Sequence, residues 1–203
     1  MNRKIGMISS VINICSVAAF ALCMLTGANF LSYFVCMFIA FSFVPMMAVF
    51  CHNSQSDRKT AGYAAMIFAG MYAIIILLVY FAQVTTVRLE VLSDQAKQVL
   101  DYQNFGLFFN YDLLGYGLMA LATFFAGLTI RTRNKVDRWL KLLLLIHGIF
   151  FFTCLIMPMT GAFTASQSKD MDWIGVAVLE FWCIYFIPVG ILSLLHFKNM
   201  ERQ

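Results

Sequence analysis

Charge is what this chain has least of. Only 12% of its 203 residues are charged while 62% are hydrophobic, against roughly 25% charged in soluble domains. A globule this small needs polar residues to cover its surface, so the composition excludes a soluble fold. Motifs of chemistry are scarce too. There is no GxSxG, no HExxH, no glycine-rich phosphate loop and no pair of acids within an apolar run, which weighs against the common hydrolases and nucleotide-using enzymes. His52, His147 and His196 are the three histidines. Two lie at the ends of apolar runs and one lies inside, so neither a three-histidine metal site nor paired haem ligation is expected. No cofactor is expected either. Cys15, Cys23, Cys36, Cys51, Cys154 and Cys183 lie within or at the ends of apolar runs and form no CxxC pair. They read as small apolar fillers rather than a disulfide framework.

What is present is long apolar sequence. Runs of about 20 residues, enough to cross ~30 Å of hydrocarbon, recur along the chain. Six spans are predicted, near 5–26, 29–50, 61–85, 112–130, 140–161 and 173–196. The expected fold class is an all-α integral membrane protein, a single polytopic domain over 1–203. It would be a six-transmembrane-helix bundle with an amphipathic outer helix between spans three and four. Charge tests this placement. Of 14 basic residues, Arg88, Lys97 and Lys169 fall on one side of the six-span arrangement. Arg3, Lys4, Arg58, Lys59, Arg131, Arg133, Lys135, Arg138, Lys141, Lys198 and Arg202 fall on the other. The positive-inside rule makes that second side cytoplasmic, with both termini on it and the plasma membrane as the expected location. Glu90, Asp94, Asp101, Asp112, Asp170 and Asp172 lie on the opposite face, so the net charge of +4 is an orientation signal and nucleic acid is not an expected partner. The basic RTRNKVDRWLK at 131–141 reads as a topology anchor with some affinity for anionic lipid head groups. MNRK ahead of an apolar run also has the form of a signal peptide, but the run is long for a signal core and is read as span one.

Two stretches resemble each other. PMMAVFCHNSQSD at 45–57 and PMTGAFTASQSKD at 158–170 share Pro-Met, a phenylalanine five residues after the proline, and Ser-Gln-Ser. A similar offset carries span three onto span six, so the chain has the outline of an inverted 3+3 repeat. Pro45 and Pro158 each free a backbone carbonyl within a span. Ala61, Ala65, Ala69 and Ala73 give span three a smooth face, suited to close packing inside the chain or to a protein partner. After span three, Leu89, Leu92, Ala96 and Val99 fall on one helical stripe. Residues 87–104 are therefore expected to form an amphipathic helix, lying on the membrane surface or capping the bundle, as a lid.

Glu180 is the one acid deep inside a span, which makes it the first candidate for function. Depth counting puts Tyr33, Tyr80, Gln83, Asp112 and Tyr116 in the outer third of their spans, while Trp182 and Tyr185 flank Glu180 in sequence. Converging, these groups would form an outer-half pocket whose acidic and aromatic walls suit a cationic or amphipathic ligand. Deeper, Asn13 and His147 share a depth and are expected to hydrogen-bond across helices. In length and number of spans the chain is similar to the substrate-capturing subunits of energy-coupling-factor vitamin transporters; its small-residue stripe and short first loop differ from theirs, and no family is assigned. The expected function is binding or transport of a small molecule around Glu180, with the lipid bilayer as partner. An accessory, sensor or immunity-type interaction protein is the alternative, and a lipid-modifying enzyme using Glu180 or His147 ranks third.

Overall fold

The computed structural model describes the backbone of residues 1–161 and 168–200, and the side chains of all these except 168–174. The helices are α1 (Asn2–Leu25), α2 (Asn29–Asn53), α3 (Lys59–Ala82), α4 (Asp94–Leu100), α5 (Leu107–Thr129), α6 (Lys135–His147), α7 (Phe150–Met159) and α8 (Ser168–Asn199). Among the described residues, six helical stretches are long and apolar enough to cross a membrane: Asn2–Leu25, Asn29–Asn53, Ser56–Val87, Leu107–Thr129, Lys135–Met159 and Gly175–Asn199. Each overlaps a predicted span. The third, fourth and fifth begin earlier than expected, at Ser56, Leu107 and Lys135.

The long helices close into a ring. α1 packs on α2, α2 on α3, α3 on α5, α5 on α6 and α7, and α8 on both α6 and α1. Bare backbone lets the seams close. A Cβ on Gly190 would meet Ile14 at 2.6 Å, and one on Gly115 would meet Ile76 at 2.9 Å, so α8 lies against α1 and α5 against α3 only because no side chain intervenes. Phe43, Met46, Tyr72, Met119 and Phe186 fill the interior. Outside, Ile8, Leu22, Phe38, Ile67, Ile74, Leu78 and Phe152 stay exposed as an apolar belt. The end holding Met1, residues 54–58 and residues 130–134 is the basic end; the far end holds the turn at Gly27 and residues 88–106.

Several expectations meet the fold differently. Ala65 and Ala69 are 0% exposed and Ala73 is buried, and α3 packs on α2 and α5. The stripe Ala61, Ala65, Ala69, Ala73 thus serves, at its three buried members, the close packing inside the chain that is the first of its two expected uses. The outer helix over 87–104 shrinks to α4, because Ser93 and Asp101 satisfy local backbone donors, from Ala96 N at 3.3 Å and Gln103 N at 3.0 Å, and such bonds compete with helix propagation. Leu89 and Val99 of the expected stripe are exposed. The two spans that carry the similar Pro-Met stretches also differ. α2 runs unbroken through Pro45 among buried Phe43, Met46 and Met47. Span five breaks at Gly148, where a Cβ would meet Phe124 at 2.9 Å, and α7 buries no residue. Phe163 and the Ser166-Gln167-Ser168 of the second motif lie outside the residues whose side chains are described.

Candidate functional site

The far end is closed by one side chain. Gln83 stands where α3 widens into the π-helical turn Gln83–Val87 and is 3% exposed. Its Nε2 donates to Leu100 O at 2.8 Å and its Oε1 accepts from Tyr102 N at 3.0 Å. One amide thereby pairs with residues 100–102 as a neighbouring strand would. The segment it holds is folded on itself. Asn104 Nδ2 donates to Lys97 O at 3.1 Å, and Phe105 takes a left-handed turn at φ 51°. A Cβ on Gly106 would stand 2.0 Å from Gln98 O, so only glycine fits there.

Tyr102 hangs from this plug into the bundle. Its hydroxyl donates to Asp112 Oδ2 at 3.3 Å. Its ring lies against Tyr33 at 5.8 Å, Tyr80 at 6.1 Å and Phe109 at 5.1 Å, while Tyr33 stacks on Tyr80 at 5.7 Å. Burial, and then the neighbouring Asp112, push the Tyr102 phenol well above its usual range, so it remains a donor at ordinary pH. Asp112 is 1% exposed, and its Oδ1 has no hydrogen-bond partner among the described residues. The Tyr80 hydroxyl faces the same carboxyl. Below it, the Tyr116 hydroxyl lies 4.0 Å from Cys36 Sγ, and the Tyr116 ring meets Tyr72 at 5.9 Å and Trp182 at 5.3 Å. The buried Tyr72 hydroxyl also lacks a partner among the described residues. Buried polar groups are nearly always paired; here two unpaired ones, one of them on an ionisable acid, stand in one column, while Asn13 Oδ1, Asn110 Oδ1 and Glu180 Oε1 are unpaired elsewhere among the described residues.

The polar groups around His147 are satisfied, whereas the buried Asn13 Oδ1 has no partner among the described residues. Trp182 Nε1 donates to His147 Nε2 at 3.2 Å, which leaves the proton on Nδ1 to reach Thr123 Oγ1 at 2.7 Å, and Thr123 donates onward to Ala120 O at 2.8 Å. Tyr185 donates to Leu143 O at 2.5 Å and stacks on His147 at 5.7 Å. Asn13 donates instead to Ser42 Oγ at 3.0 Å. The expected Asn13–His147 bond is absent because α8 stands between α1 and α6 in the ring.

Of the anticipated site, the fold unites Asp112, Gln83, Tyr80, Tyr33, Tyr116 and Trp182. Glu180 lies apart. Residues two apart on a helix project to nearly opposite sides, so with Trp182 turned inward Glu180 falls on another flank. It is half-buried between exposed Val178, Phe181 and Ile184. Sequence reasoning missed Tyr102, Cys36 and Tyr72 as participants; Tyr102 follows an amphipathic stripe that drew attention to its apolar residues. No group of His, Cys, Asp or Glu among the described residues could hold a metal ion. Compared with known proteins, the chain matches no family model, no curated protein and no solved structure.

Proposed function

We propose that this is an integral membrane protein, its basic end cytoplasmic, that binds a small cationic or amphipathic amine at Asp112 in its outer half. The apolar belt and the one-sided basic residues support insertion and orientation in the plasma membrane. The observation that carries the binding reading is the Asp112 carboxyl: 1% exposed, one oxygen unpaired among the described residues, and ringed by Tyr33, Tyr80, Tyr102 and Tyr116. A carboxylate supplies the counter-charge and aromatic faces supply cation–π attraction, the combination that recognises substituted ammonium groups. Entry requires the 94–106 plug to swing away, breaking two hydrogen bonds of Gln83 and the bond from the Tyr102 hydroxyl to Asp112.

Isothermal titration of tetramethylammonium and of a single-chain alkylammonium into the full chain in lipid nanodiscs tests this. Saturable binding is expected, weakened at least about 30-fold by Asp112→Asn, since a desolvated charge pair is worth about 2 kcal/mol or more. Binding of equal strength in the variant, or none to either probe, would remove the reading.

A further inference from the structure

The basic end holds a cavity of about 360 Å³, lined among others by Asn53, Gln55, Arg131, Arg133, Asp137 and His196. Its one acid is already engaged. Asp137 is 2% exposed; Oδ1 meets His196 Nδ1 at 2.7 Å, and Oδ2 accepts from Arg133 N at 3.1 Å. His196 is fixed further by its ring, which stacks on Phe50 at 5.7 Å. With Nδ1 on the carboxylate, Nε2 is the ring nitrogen left to serve the cavity that His196 lines.

The surrounding cations divide into holders and rim. Arg58 Nη1 donates to Ile130 O at 3.1 Å and so pins the start of the 130–134 loop. Lys59 Nζ donates to Cys51 O at 3.2 Å and His52 O at 2.9 Å. Those carbonyls end α2 and would otherwise repel an anion from this mouth. Arg131 and Arg133 are bound in none of these ways, and both line the cavity. Two guanidinium groups over a pocket whose carboxylate and helix-end carbonyls are already occupied make a receptor for a doubly charged oxyanion, because the guanidinium fork matches phosphate oxygens in pairs. The volume falls within the range of small-molecule sites.

We infer that this cavity binds a phosphate-bearing anion, carried either on a lipid head group or on a soluble compound. The full chain in nanodiscs of phosphatidylcholine alone, titrated with inorganic pyrophosphate, forms one arm. Nanodiscs doped with phosphatidic acid form the other. The readout is phenylglyoxal modification of Arg131 and Arg133, mapped by mass spectrometry, together with the thermal midpoint. One arm is expected to protect both arginines and raise the midpoint. Arg131→Gln combined with Arg133→Gln should weaken the apparent affinity at least about tenfold. Lys135→Gln combined with Lys141→Gln removes the same charge from residues that do not line the cavity and should change it less than about twofold. Protection by pyrophosphate assigns a soluble ligand; protection by phosphatidic acid alone assigns a head group. Absence of protection in both arms overturns the inference. Equal weakening by the lysine pair does so as well, since it would reduce the effect to surface charge.

Discussion

The polar groups around His147 and those around Asp112 sit in the same bundle and obey different rules. His147 is 1% exposed, and its ring is spoken for at both nitrogens, by Trp182 and Thr123. Every proton in that chain has a place to go, ending on a helix carbonyl. Asp112 is as deeply buried, yet it receives one hydroxyl and keeps an unpaired oxygen among the described residues. A completed network rigidifies a core, whereas an incomplete one costs stability and persists where something else completes it. Burial alone therefore does not mark a functional group. What marks it is the bond left unmade.

The comparison breaks most visibly at His147. His147→Ala leaves the Trp182 N–H without its acceptor and opens a cavity among Phe150, Tyr185 and Phe186, which contact the ring. A loss of about 3 kcal/mol or more is expected, read as a lowered midpoint in thermal or denaturant unfolding. A midpoint matching the parent would mean that the network is not structural. Gln83→Leu comes next. It removes the two bonds from Gln83 to the plug, leaving the Tyr102–Asp112 bond in place and Leu100 O and Tyr102 N unpaired, at a local cost of about 1–3 kcal/mol. Hydrogen exchange should accelerate across 94–106 and stay unchanged in α1 and α8; uniform acceleration would show that Gln83 supports the whole bundle instead.

These contrasts were only half legible in the sequence. Depth along a span follows from counting residues, and the outer-third residues Gln83, Tyr80, Asp112 and Tyr116 do lie along one column with Tyr102. Rotation about the helix axis does not follow from counting alone. Glu180 shares the half of the bundle away from the basic end but not the inward face that Trp182 occupies, and Asn13 is separated from His147 by an intervening helix. The spans themselves were readable because apolar length is a one-dimensional property. Their starts were less so, since LFFNYD and KVDRW carry polar residues at helix ends that resemble loop. In 87–104 the apolar stripe suggested a continuous helix, and the local bonds of Ser93 and Asp101 overruled it.

Asp112→Asn sharpens the comparison by a small number. The asparagine amide has nearly the volume of the carboxyl, and its oxygen can still accept from the Tyr102 hydroxyl that now reaches Oδ2. No salt-bridge partner of Asp112 occurs among the described residues, so no cation is left stranded. Stability should change by less than about 1 kcal/mol in either direction. An acid held in a buried structural pair would instead cost about 3–5 kcal/mol to break, and a drop of that size would place Asp112 with His147 among structural groups.

Glu180→Gln is the smallest expected effect and the most discriminating one. Glu180 is the acid that depth and rarity single out, and its Oε1 is buried without a partner among the described residues. Position argues the other way. It is only half-buried, and its neighbours Val178, Phe181 and Ile184 are exposed along the apolar flank of α8. Neutralising it should leave the stability within about 1 kcal/mol of the parent, read from thermal unfolding, and ammonium binding within about threefold, roughly 0.6 kcal/mol. Binding that collapses in Glu180→Gln while surviving in Asp112→Asn would move the site out of the tyrosine cage and onto the flank of α8. Loss in both variants would make the two acids one site, reached only after the bundle rearranges.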